Sequence, residues 1–81
     1  MNSAQILDVI VHHAKEVLPE LMDHEFAPTD RLQELGANSV DRAEIITLVL
    51  ESLALRIPRT ELFGPTNIGD LAQLLHTKMN G

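Results

Sequence analysis

The chain has no cysteine, no tryptophan and no tyrosine, only two phenylalanines, and half as many basic as acidic side chains. Each shortage removes a class of explanation. Without cysteine there is no disulfide framework, no thiolate metal cluster and no cysteine nucleophile. With so few aromatic rings there is little on which nucleic-acid bases could stack. Six Lys and Arg against twelve Asp and Glu give a formal net charge of -6, which repels nucleic acid and anionic membrane surfaces and favours basic protein partners. No apolar run approaches the length of a membrane span. Met1 leads at once into an amphipathic pattern, without the basic start and continuous apolar run of a signal peptide, so a cytoplasmic location is expected.

What is present suits one small domain over residues 1–81. The 81 residues are 44% hydrophobic, yet a chain of this size buries only somewhat more than about 60% of its unfolded surface, so its core must be simple. No internal repeat, low-complexity segment or linker interrupts it. The first helix is expected from about Ser3 to Leu18, capped by Asn2 or Ser3, with Ile6, Ile10, Ala14, Val17 and Leu18 at helical spacing. Pro19 ends it. The next stretch, 19–38, is long for a loop in a compact domain. Leu21, Met22, Phe26, Leu32 and Leu35 are expected to pin it to the core as an ordered crossover.

A second helix is expected from Asn38 or Ser39 to about Leu53. At 100° per residue, Ala43, Ile46, Val49, Leu50 and Leu53 form an apolar arc, while Val40, Glu44, Thr47 and Glu51 fall on the opposite side. That outer face, with Val40 and Leu48 beside carboxylates, suits docking better than plain solvation. Pro58 and Gly64 bracket a short turn of helix from Arg59 to Phe63. Thr66 or Asn67 caps a last helix through Ile68, Leu71, Leu74, Leu75 and Met79. Three longer helices, one short one and a long first connection make an all-α, small four-helix bundle.

The segment ELGANSVDRAEI, 34–45, carries the strongest candidate chemistry. Ser39 stands where a glycine-containing turn hands over to the second helix, among backbone N–H groups without intrahelical partners and at the positive end of the helix dipole. An anion is favoured there, and a phosphodiester on the Ser39 hydroxyl would sit in that field. A plain helix cap explains the same residue, and spacing alone leaves both readings open. Other candidates are weaker. His12 and His13 are adjacent and so read as serving different helix faces, and neither has a second His at i+4, so no metal site is expected. His12 reads as a surface group between Asp8 and Glu16, and His24 and His76 are isolated from other histidines in the sequence. No His lies near Ser39 in sequence, a bundle of 81 residues leaves little room for a triad, and no catalytic residue is expected. The acidic residues lack calcium-loop spacing.

The run Leu35 to Ile45, LGANSVDRAEI, resembles the attachment motif of acyl carrier proteins, usually Leu-Gly-x-Asp-Ser-Leu followed by an acidic residue. Leu32, Leu50-Glu51, Ile57-Pro58 and Ile68 to Leu75 are similar to the rest of that pattern, so nearly the whole chain is covered. The resemblance implies 4'-phosphopantetheine on Ser39, added from coenzyme A by a magnesium-dependent phosphopantetheinyl transferase, with acyl groups held on its thiol as thioesters and no catalysis by the carrier itself. Asn38 departs from the usual Asp, removing a charge while keeping a capping oxygen.

The wording GANSVDRAEI is similar to a narrower group, the free-standing donor carriers of polyketide β-branching cassettes. That likeness implies an acetyl group handed to a hydroxymethylglutaryl (HMG) synthase-like enzyme, after loading by an acyl-loading or decarboxylating ketosynthase. Acceptor carriers of such systems typically place Trp six residues after the serine, where this chain has Ile45. The implied partner surface comprises Asn38, Val40, Asp41, Arg42, Glu44, Thr47 and Glu51, with Arg59 and Phe63 as a second edge, on a monomer. A general polyketide or fatty-acid carrier, or a helical adaptor without a prosthetic group, are the alternative readings.

Overall fold

The computed structural model describes every residue except Phe63 and Gly81, and the side chain of Asn80. Three α-helices follow one another: α1 (Ser3–Val17), α2 (Ser39–Leu53) and α3 (Ile68–Asn80). Single turns of 3-10 helix occupy Pro19–Leu21, Leu32–Leu35 and Arg59–Leu62, and the described residues contain no strand. The short helix expected over 59–63 is thus one 3-10 turn, and its expected last residue, Phe63, lies outside the described residues.

Each long helix begins on an asparagine. The Asn2 side chain accepts the N–H of Gln5 while the Gln5 side chain accepts the N–H of Asn2, which satisfies two of the donors that a helix start leaves over. Asn67 accepts the N–H of Asp70 in the same manner. α1 ends one residue earlier than expected. Leu18 is its C-cap, donating to the Ala14 carbonyl, because Pro19 bars helical geometry in the residue before it.

α1 lies against both α2 and α3, which touch each other far less. Its Ile6, Ile10, Ala14 and Leu18 are buried, facing Ile45, Ile46, Val49, Leu50 and Leu53 of α2 and Ile68, Leu71, Ala72 and Leu75 of α3. The crossover joins this core through Leu21 and Leu32, with Phe26 and Leu35 packed at its edge. Met22 does not join it: as the cap of the Pro19–Leu21 turn it points outward and stays 60% exposed. Gly36 then turns the chain into α2 at φ 103, a left-handed conformation that glycine adopts without steric cost.

The far end of the crossover is anchored on α3. Ile68 donates its N–H to the Asp30 carbonyl at 3.0 Å, and Gly69 donates to the Pro28 carbonyl at 2.8 Å. A side chain on Gly69 would meet Pro28, so the close approach depends on glycine. These contacts hold the segment before Ser39 against the start of α3.

Candidate functional site

Ser39 is the first residue of α2, and its exposed side chain stands one residue past the cap. The cap is Asn38, in extended conformation. Its Oδ1 accepts the Asp41 N–H at 2.8 Å, and its own N–H donates to Asp41 Oδ2 at 3.1 Å. The helix therefore does not need the Ser39 hydroxyl as a cap. Asp41, expected on the partner surface, spends one carboxylate oxygen inside this box. The N–H groups of Ser39 and Val40 are the two of the first turn that the box leaves over.

Beside Ser39 a cleft of about 450 Å³ opens between α2 and α3. Its floor is apolar: Leu32, Ile46, Leu62, Ile68 and Leu71. Ser39, Gln33, Arg42, Thr66 and Asn67 supply polar groups around it. Arg42 reaches across from α2 to the crossover, its Nη1 donating to Gln33 Oε1 at 2.7 Å. Gln33, Thr66 and Asn67 were not among the expected site residues. They lie far from Ser39 in sequence or on a different turn, and only the docking of the crossover on α3 gathers them.

The expected partner surface divides in two. Val40, 71% exposed, and the exposed Glu44 stand beside Ser39 on the outer side of α2, with Leu48 half-buried. Thr47, Glu51 and Arg59 instead meet at a second, shallower recess near the C-terminal end of α2, shared with Leu50, Leu55 and Arg56. Thr47 is half-buried there, and its hydroxyl donates back to the Ala43 carbonyl at 2.9 Å, a bond within its own helix. Phe63, expected at this edge, lies outside the described residues.

The histidines depart most from expectation. His12 and His13 are brought together by Glu16, with His12 Nε2 3.4 Å and His13 Nδ1 2.5 Å from Glu16 Oε1. His24 pairs with an acid: its Nε2 is 3.0 Å from Asp30 Oδ2, and its ring stands edge-on to Phe26. The Asp30 carboxyl is held below its ordinary range, first by the Ala27 N–H that it accepts and then by His24.

The arrangement at Ser39 is an exposed hydroxyl beside unused backbone donors and a guanidinium, at the positive end of a 15-residue helix. Residues 8–75 match the family model described as the phosphopantetheine attachment site. The chain belongs to the phosphopantetheine-attachment family. Carriers of this family hold 4'-phosphopantetheine covalently, and that is the prosthetic group of this protein. The residues present fit it: a hydroxyl unencumbered by capping and two first-turn N–H donors left over by the cap for a phosphodiester.

Two relatives refine the comparison. The polyketide biosynthesis acyl-carrier-protein AcpK of Bacillus subtilis (strain 168) is 57% identical over 79 residues, covering 98% of this chain and 96% of AcpK. The fold matches a chain in the crystal structure of the Curacin biosynthetic pathway HMG synthase in complex with acetyl donor-ACP. There the TM-score is 0.92 at 49% identity, covering 95% of this chain and 99% of that one. The all-helical, carrier-like fold expected from the sequence is therefore the one observed. Among the described residues no helix is long and apolar enough to cross a membrane.

Proposed function

We propose that this protein is the donor acyl carrier of a polyketide β-branching cassette, carrying its 4'-phosphopantetheine on Ser39 and presenting an acetyl thioester to an HMG synthase-like enzyme. The observation that carries this reading is the likeness to the donor carrier of an HMG synthase complex, at 49% identity and over nearly the full length of both chains. AcpK, a polyketide carrier by its name, supports the same setting.

The geometry supports a division of labour. Asn38 and Asp41 cap α2, which frees Ser39 to present its hydroxyl. The prosthetic group supplies a thiol that holds the acyl group as a thioester. Ser39 anchors the arm, and the first-turn N–H groups offer the phosphodiester compensating charge. Val40 and Glu44 flank the anchor on the surface that a partner enzyme meets, with Thr47, Glu51 and Arg59 as a second contact region. The partners proposed are a phosphopantetheinyl transferase, an HMG synthase-like enzyme and a loading or decarboxylating ketosynthase. The carrier itself performs no catalysis and works as a cytoplasmic monomer.

The experiment is intact-protein mass after incubation with coenzyme A, magnesium and a broad-specificity transferase, followed by acetyl loading and addition of an HMG synthase. One phosphopantetheine is expected on the wild type and none on Ser39→Ala, which still folds because its cap is Asn38. Loss of the acetyl group to the synthase completes the donor reading. A Ser39→Ala chain that gains the same mass overturns the assignment of the anchor. A loaded carrier that the synthase ignores overturns the β-branching role and returns the protein to general polyketide or fatty-acid carriage.

A further inference from the structure

Neighbouring residues on a helix point about 100° apart, so His12 and His13 serve one purpose only if a third group draws them together. Glu16 does so, standing at i+4 from His12 and i+3 from His13, the two spacings at which helical side chains meet. The three potential ligand atoms, two imidazole nitrogens and a carboxylate oxygen, all lie within 4.8 Å of one another. The two rings meet edge to face with centroids 5.2 Å apart.

The other side of His13 is equally defined. The residue is buried, and its Nε2 lies 2.6 Å from Ser52 Oγ on α2. A metal-ligating imidazole characteristically has its second nitrogen held by an outer partner that sets the tautomer and the ring orientation. When Nε2–H donates to Ser52, the Nδ1 lone pair faces the Glu16 carboxylate. In the other tautomer Nδ1–H donates to Glu16; in this one the 2.5 Å contact holds no hydrogen, and a cation bound by both atoms, once the Glu16 side chain draws back, takes its place.

We propose that His12 Nε2, His13 Nδ1 and a Glu16 carboxylate oxygen form a binding site for Zn2+, with water completing the coordination. The mixed nitrogen and oxygen set suits zinc, whereas magnesium takes oxygen ligands almost exclusively. Tetrahedral ligands about 2.0 to 2.1 Å from zinc stand roughly 3.3 to 3.4 Å apart. His12 and Glu16 are already 3.4 Å apart, and the half-exposed Glu16 side chain is free to open its distance to His13. The site occupies the end of α1, where the helix dipole favours a cation, on a chain of net charge -6. It shares no residue with the cleft at Ser39. Through Ser52 it tightens the contact of α1 with α2.

The test titrates zinc chloride into the tag-free chain before pantetheinylation, so that no thiol competes, and follows heat and the imidazole and amide resonances of His12, His13 and Ser52. One zinc per chain is expected, with those resonances shifted and the thermal midpoint raised. His12→Ala and Glu16→Gln change exposed groups and keep the fold; each is expected to weaken binding about ten-fold or more. His24→Ala, which removes a histidine paired elsewhere, keeps wild-type affinity, and excess magnesium does not displace the zinc. Absence of saturable binding, or affinity unchanged in both His12→Ala and Glu16→Gln, overturns the site without touching the Ser39 assignment.

Discussion

The Gly69 N–H donates to the Pro28 carbonyl oxygen at 2.8 Å, and a Cβ on Gly69 would lie 2.8 Å from both that oxygen and the Pro28 Cβ. The obstruction is backbone, which cannot swing aside as a long side chain can. Gly69→Ala is therefore expected to cost about 1 to 3 kcal/mol, as overpacking does, and to loosen the crossover from α3. Urea denaturation measures the loss. An unchanged midpoint would mean that the crossover shifts freely and does not set the shape of the cleft.

Asp30 sits in the same anchor. Its carboxyl is held below the ordinary range by the Ala27 N–H and then by His24, so the folded protein keeps it ionised to lower pH than the unfolded chain does. The stability it contributes is present in full above the unfolded value of about 3.9 and is lost as pH falls through the lower folded value. Asp30→Asn is expected to flatten the pH dependence of the thermal midpoint below about pH 4. Identical acid slopes in the two proteins would exclude Asp30 as a source of acid lability.

Asn38 and Asp41 cap α2 reciprocally, so the cap and the candidate anchor are different residues. Asn38→Ala should destabilise by about 0.5 to 2 kcal/mol, while Ser39→Ala should cost much less. Asn38→Asp keeps the accepting oxygen. Its gain from the helix dipole, about 0.3 to 1 kcal/mol, is opposed by the Asp41 carboxylate in the same box, so stability should stay within about 0.5 kcal/mol of wild type. Guanidinium unfolding of the three variants checks the order.

Ile45 shows where sequence periodicity loses information. A single-face projection places Ala43 inside and passes over Ile45, yet Ile45 is wholly buried and Ala43 only half so. α2 is packed by α1 on one side and by the turns at 32–35 and 59–62 on others, and a helix enclosed from several directions has no single apolar face. Ile45→Ala is thus expected to cost about 2 to 5 kcal/mol, the range for a fully buried aliphatic side chain. α1 and α3, each with one dominant buried stripe, were largely legible: Ile6, Ile10, Ala14, Leu18, Ile68, Leu71 and Leu75 are buried as expected, whereas Val17, Leu74 and Met79 are only partly so and the buried His13 and Ala72 were missed. Gly36 and Asn67, where backbone geometry demands particular residue types, were legible too. The bond of His13 to Ser52, 39 positions apart, and the gathering of Gln33 with Asn67 at the cleft were not, because they depend on how the crossover docks. The outward turn of Met22 depends likewise on its place after a 3-10 turn.

Arg42 combines both lessons. A cation in the first turn of a helix opposes the dipole by roughly 0.3 to 1 kcal/mol, and a neighbouring acid would be the ordinary compensation. The side chain instead donates to Gln33, a neutral group, so its position is held while its charge is not neutralised by that contact. A held cation close to the acyl anchor suits recognition of an acidic patch on a partner enzyme. Arg42→Glu should lower kcat/KM for acyl transfer to the cognate synthase by about ten-fold or more, equivalent to at least about 1.4 kcal/mol. Pantetheinylation should proceed at the wild-type rate, and the fold should be no less stable, since the new charge agrees with the dipole. Gln33→Ala separates charge from placement: it keeps the cation and removes its tether, so an intermediate loss of transfer is expected. If Arg42→Glu slows pantetheinylation and acyl transfer equally, Arg42 serves the anchor itself and not the choice of synthase.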